Sequence, residues 1–226
     1  MNAIKRIVTP ENLIYMLHGA KASLLVAICA VIGGSILGLL AAMAKMGKNK
    51  VAQKIAHVYV EVIRGTPMIL QIMLFYLGGP IITKTLFHYV YTPNPLLVGT
   101  MAVAINSGAY TSELFRSAIQ SVDKGQWEAA KTIGLSHWQT LKEIILPQAF
   151  KRILPPYINE FIVLIKDSSL LSTIGGVELL QSANILGAAE YNYLVPLLCA
   201  AVMYLAMTLT ISHFARKLER RLAESD

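Results

Sequence analysis

Charge is what this chain has least of: 15% of its 226 residues are Asp, Glu, Lys or Arg, against 55% hydrophobic residues. Soluble domains draw about a quarter of their residues from the charged set, so a fold surrounded by water is excluded and a bilayer is implied. Acids are the scarcer sign, 13 against 20 Lys and Arg, which leaves a net charge of +7. The basic residues gather at the ends of apolar stretches and form no aromatic-interleaved surface, so they read as topological charge and nucleic acid is excluded as a partner. Cysteine is nearly absent. Cys29 and Cys199 both lie inside apolar runs, where a small buried hydrophobe is expected and a disulfide or metal pair is not. The sequence contains no GxxxxGK[ST] phosphate loop, no HExxH and no GxSxG, and His18, His57, His88, His137 and His213 stand scattered without ligand spacing. The chain is therefore expected to be no enzyme and to hold no cofactor or metal of its own. No short apolar run with a small-residue cleavage site follows Lys5 and Arg6, so no removable signal peptide is expected.

What is present is an all-α pattern of apolar segments, read as one transmembrane domain over residues 1–226. Ala22–Ala44 carries no charged residue, and about 23 residues at 1.5 Å each cross a hydrocarbon core of roughly 30 Å. Gly34 and Gly38 within it form a small-xxx-small pair suited to generic helix packing. About five spans are expected, near residues 20–44, 55–77, 96–115, 150–171 and 193–214. The second carries Glu61, Arg64, Thr66, Pro67 and Gln71, so its first half should face protein or a cavity, with a local unwinding at Thr66-Pro67. The fourth is interrupted by Pro155, Pro156, Glu160, Lys166 and Asp167, and hydropathy alone leaves it in doubt. Basic residues decide the topology. Lys45, Lys48, Lys50 and Lys54 crowd the first loop and Arg216, Lys217, Arg220 and Arg221 follow the last span, which puts both inside, the N-terminus outside and the C-terminus in the cytoplasm. An odd number of spans follows, and the fourth is needed to make it.

The long inner loop, about residues 121–147, has a spacing of its own: Glu128-Ala129-Ala130, three residues, Gly134, nine residues, Ile144, one residue, then Leu146-Pro147. A short helix over Trp127–Ile133 is expected, with Gly134 reversing the chain. A second helix, Ser136 to Ile145, should start on Ser136 as N-cap and carry Trp138, Leu141 and Ile145 on one face. Without the spacing, such a basic helix would read as an interfacial helix lying on lipid headgroups. With it, the loop resembles the docking loop of binding-protein-dependent ABC importer permeases. Glu61-Val62-Ile63-Arg64-Gly65-Thr66-Pro67 with Gln71, Ala109 to Arg116, Ser121 to Ala130 and Asn159 to Leu170 resemble the polar amino acid subfamily of these type I membrane domains. The resemblance extends from about residue 15 to residue 220, apart from an outer loop around Thr83 to Asn94 that has no place in it.

That resemblance implies a set of partners and roles. Two separate ABC ATPase subunits would carry the ATP and magnesium, and each would grip a coupling helix at Glu128, Ala129, Ala130, Gly134, Leu146 and Pro147. A second permease chain, identical or paralogous, and an extracellular or periplasmic solute-binding protein would complete an importer of a polar or cationic amino acid in the bacterial inner membrane. An ionisable group at membrane depth costs at least about 2.5 kcal/mol and is a functional candidate for that reason. Glu160 and Asp167, seven residues apart, share a helix face and can meet a substrate ammonium group; Lys166 points elsewhere, toward a structural carboxylate or a substrate carboxylate. Ser168 with Ser169 and Thr66 offer hydroxyls, and Arg64 is the candidate cation of the same site. Glu61 with Arg64 and Glu113 with Arg116, each at i,i+3, also suit structural ion pairs. A secondary transporter and a membrane scaffold that recruits an ATPase are the competing functions. Five spans leave no room for paired inverted repeats in the first, and ATP-dependent uptake separates the importer from both.

Overall fold

Small residues decide how the first helix packs. In the computed structural model, which describes residues 6–223, α1 runs over Pro10–Met46, with Thr9 as N-cap accepting from the Asn12 amide at 3.3 Å and Pro10 in its first turn. Its buried stripe is Gly19, Ala20, Ser23, Ala27, Ala30, Gly34, Gly38 and Ala41, with few bulky side chains among them. Between helices in lipid, packing contacts replace the hydrophobic effect as the driving force, and small residues let backbones meet. Gly34 and Gly38 meet α5, Pro95–Gln120: a Cβ at Gly34 would stand 2.8 Å from the Ser107 side chain, and one at Gly38 would stand 2.1 Å from Thr111 Oγ1. Thr111 Oγ1 donates to the Gly34 carbonyl at 3.0 Å across this contact.

Asn49 caps α2, Lys50–Arg64, by accepting from the Val51 and Ala52 amides. The helix stops at Gly65-Thr66-Pro67 because Pro67 has no N–H to donate. It resumes as α3, Met68–Met73, passes through a π turn at Leu74–Gly78 and continues as α4, Gly79–Phe87. The outer segment expected to be loop from Gly78 is thus helical to Phe87. Pro80 has no N–H for the preceding helical turn and follows directly on the π turn that accommodates it, and Lys84 is the single charged residue in that helix.

After α5 come α6, Lys124–Thr132, and α7, His137–Thr140, followed by a π turn at Leu141–Ile145 that leads without a break into α8, Leu146–Asp167. A 3₁₀ segment, Ser168–Ile174, ends at Gly175 with φ +79°, and α9, Leu179–Ala189, and α10, Leu194–Ala223, complete the chain. No strand occurs among the described residues. Three helical stretches are long and apolar enough to cross a membrane: α1, Met68–Phe87, and Leu194–Arg221 of α10. The helices α5 and α8 have 26 and 22 residues, enough length to cross, and carry the polar side chains of the interior.

The main core joins α1, α5 and α8 around Ala27, Ala30, Val103, Leu164 and Ile165. A second cluster seats α9 on α1 and α10 through Met16, Leu179, Ala183 and Ala200. Glu178, fully buried, fastens that region. Its carboxylate accepts from the Leu180 and Gln181 amides at 2.8 Å each, from Tyr204 Oη at 2.6 Å and from Ser23 Oγ at 3.2 Å. One side chain thereby caps α9 and ties it to α1 and α10.

Candidate functional site: a cavity at the helix break and an inner docking loop

A cavity of about 500 Å³ opens where α2 breaks before α3. Arg64, Gly65, Thr66, Pro67 and Met68 line it from the break, Asn106 and Tyr110 from α5, and Glu160, Val163, Leu164 and Asp167 from α8. The break exists because Pro67 interrupts the helix, and the peptide groups it exposes are satisfied by Gln71. That amide nitrogen donates to the Ile63 carbonyl at 2.7 Å, the Thr66 carbonyl at 3.1 Å and Thr66 Oγ1 at 2.8 Å. Irregular backbone at membrane depth is tolerated where protein groups or a cavity satisfy it. On α8, the ring nitrogens of Pro155 and Pro156 remove the helical bonds to the Lys151 and Arg152 carbonyls. About one turn after Pro156 the helix carries Glu160, and Asp167 lies seven residues further on the same face. Glu160 accepts from Ser107 Oγ at 3.0 Å.

Four of the seven residues expected at a substrate site, Arg64, Thr66, Glu160 and Asp167, meet in this cavity. Lys166, Ser168 and Ser169 do not. Lys166 points out of it, exposed, and forms no ion pair among the described residues. Ser168 is fully buried and donates to the Ile165 carbonyl at 2.7 Å, because the chain tightens into the 3₁₀ segment at that point. The expected Glu61–Arg64 ion pair is absent: Arg64 instead lies over the Tyr110 ring, 5.3 Å from its centroid, an arrangement that suits a guanidinium next to an aromatic face. The Glu113–Arg116 pair is present, at 2.6 Å, and Lys45 joins it from the end of α1. Asn106 and Tyr110 line the cavity without having been singled out from the sequence, whereas Gln71 was expected to face protein or a cavity. Asn106 had a signal, an amide in the middle of an otherwise apolar stretch.

The inner loop is built on α6 and α7. Asp123 caps α6 through the Gly125 amide at 2.6 Å, and Gly134 has φ +82°. The Leu135 amide reaches back to the Ala130 carbonyl at 3.1 Å and the Gly134 amide to Lys131, which is the glycine-dependent helix ending that the sequence predicts. Ser136 and Gln139 then form a capping box at the start of α7. Ala130 is buried, whereas Glu128, Ala129, Gly134, Leu146 and Pro147 are exposed. Ile133 and Trp138 are 74% and 66% exposed, so the tip of the loop presents apolar surface that none of the described residues covers. Trp138 does not share a face with Ile145, which is fully buried. The π turn between them inserts an extra residue into the helical period and rotates the two apart. From behind, the loop is braced by Ala118, Val122, Ile145, Ala149 and Ile153 of a third cluster, which packs it against α5 and α8.

Comparison with known proteins agrees with this geometry. Residues 34–224 match the family model described as "Binding-protein-dependent transport system inner membrane component". The chain is 38% identical over 207 residues to the glutamine transport system permease protein GlnP of Escherichia coli strain K12, covering 92% of each chain. It is 36% identical over 211 residues to the putative glutamine transport system permease protein GlnP of Rickettsia prowazekii strain Madrid E, covering 93% of this chain and 94% of the relative. Among solved structures it superposes on a chain of an amino acid ABC transporter with histidines, with a TM-score of 0.88 and 36% identity over 98% of this chain and 99% of the other. An inward-facing MetNI methionine ABC transporter chain shares the fold, with a TM-score of 0.77 at 16% identity, over 95% of this chain and 99% of the other. The docking-loop spacing, the polar cavity at the broken helix and these matches together place the chain in the family of binding-protein-dependent transport system inner membrane components.

Proposed function

We propose that the chain forms one half of the translocation pathway of an ATP-driven importer of a polar or cationic amino acid, and that the cavity between the helix break and α8 is its substrate site. The observation that carries this reading is the gathering of Arg64, Thr66, Glu160 and Asp167 around one space from segments far apart in sequence. Arg64 suits the α-carboxylate of an amino acid; the two carboxylates suit its ammonium group and a donor-bearing side chain, and disfavour an acidic one through like charge. The glutamine permeases among the relatives fit that preference. The coupling residues Glu128, Ala129, Ala130, Gly134, Leu146 and Pro147 serve two ATPase subunits, with ATP and magnesium held there and not in this chain. A second permease chain supplies the other half of the pathway, and a solute-binding protein outside delivers the amino acid. Five spans, with the N-terminus outside and the C-terminus in the cytoplasm, follow from the basic inner loops.

Vesicles reconstituted with the assembled transporter test this. Uptake of labelled L-glutamine or L-arginine should require ATP inside and a cognate binding protein outside, with L-glutamate taken up far less. Uptake driven by an ion gradient without ATP, or equal uptake of L-glutamate, contradicts it.

A further inference from the structure

The side chain of Gln71 has no freedom to choose its orientation. Its nitrogen lies within hydrogen-bond distance of three oxygens, the Ile63 and Thr66 carbonyls and Thr66 Oγ1. Carbonyls only accept, and the Thr66 hydroxyl already spends its proton on the Val62 carbonyl at 2.9 Å, so all three require a donor. The Gln71 amide must therefore turn its NH₂ to the break and its Oε1 toward α5. There it meets Asn106, whose Nδ2 donates to it at 3.0 Å. Asn106 spends one N–H on Gln71 and has its Oδ1 left over, and no protein donor reaches that atom among the described residues. Asn106 lines the cavity while being only 7% exposed, and its Oδ1 is not among the buried atoms lacking a partner, so this oxygen is the part of the amide that reaches the cavity.

We propose that Asn106 is a specificity-determining residue and Gln71 its positioning residue: the helix break, read through Gln71, locks Asn106 as an acceptor facing the substrate. This rests on the cavity being the amino acid site. Glu160, Asp167 and the locked carbonyl of Asn106 line the same cavity, three oxygen acceptors sharing one space with the Arg64 guanidinium. A bound amino acid must then present N–H donors there, from an amide, guanidinium or ammonium side chain. A side-chain carboxylate finds only acceptors, and a site that leaves polar groups unpaired rejects the wrong ligand strongly. An amide free to rotate would offer its NH₂ to a carboxylate and discriminate less. The lock is what distinguishes the two cases.

Equilibrium binding of labelled L-glutamine and L-glutamate to the purified permease–ATPase complex, without binding protein, reads this directly. The wild-type complex should prefer L-glutamine. Gln71→Leu releases the Asn106 amide, and the preference should fall by about tenfold, the effect of roughly one hydrogen bond. Asn106→Leu, which leaves the hydrogen bonds of the break in place, should lose affinity for L-glutamine to a similar degree. In the double variant Gln71→Leu/Asn106→Asp an oxygen faces the cavity in every rotamer, and the preference should return. If Gln71→Leu weakens both ligands equally and the double variant restores nothing, Gln71 only supports the fold and the proposal is overturned. A wild-type complex that binds none of L-glutamine, L-glutamate and L-arginine overturns instead the assignment of the cavity, and this proposal with it.

Discussion

Vesicles carrying Glu160→Gln should accumulate amino acid at least about tenfold more slowly than wild type at low substrate, since a hydrogen bond to a charged group contributes roughly 1.5 to 3 kcal/mol. The substitution removes charge and little else. A glutamine Oε1 can still accept from Ser107 Oγ, the bond that holds Glu160 in place at 3.0 Å, so α5 and α8 should stay packed. The loss should appear as a raised KM, with the maximal rate less affected, because the missing attraction acts on substrate held in the cavity. Asp167→Asn should act in the same direction, since Asp167 lines the same space about two turns along the same helix face. Thr66→Val is a less direct probe, because it also removes an acceptor for Gln71. Uptake unchanged in both carboxylate variants would show that substrate does not meet these groups.

Glu178→Ala should destabilise the protein by about 3 to 5 kcal/mol, the scale for breaking a buried charged network whose partners then stay unpaired. Four donors converge on this carboxylate: the Leu180 and Gln181 amides, the Tyr204 hydroxyl and the Ser23 hydroxyl. Alanine leaves four buried or half-buried donors without this partner and takes the cap from α9. The midpoint of thermal unfolding of the detergent-solubilised protein, followed by size-exclusion, should drop by roughly 10 °C. Tyr204→Phe removes one donor and leaves the cap in place, so its drop should be a fraction of that. Equal midpoints for wild type and Glu178→Ala would mean the network contributes nothing to the fold.

The parts of this architecture that were legible in the sequence are those with a one-dimensional signal. Charge-free stretches announced α1 and α10, and the spacing from Glu128 to Pro147 announced the loop, down to the left-handed Gly134 and the Ser136 cap. Pro67 announced the break that opens the cavity. Other features depend on what lies across the fold. Glu178 follows Gly175 and Gly176 like any loop acid, and its partners Ser23 and Tyr204 are 155 and 26 residues away. Only its place just before the apolar Leu179-Leu180 hinted at a cap. The Glu61–Arg64 spacing suited an ion pair, but Tyr110 on another helix offered Arg64 its ring. Each π turn ends two residues before a proline, Pro80 or Pro147, a signal that a period of 3.6 does not register, so the rotation between Trp138 and Ile145 was missed. Attention to ionisable groups also passed over Asn106, an uncharged residue whose importance comes from Gln71 beside it.

The central claim is that the inner loop is the handle by which an ATPase drives this chain. A photoreactive residue at Ile133, exposed at the tip of the loop, tests it in membranes that express the complete transporter. The account predicts a crosslink to a nucleotide-hydrolysing subunit that becomes stronger or weaker on adding ATP. Crosslinks to lipid or to this chain alone, unchanged by nucleotide, would contradict it.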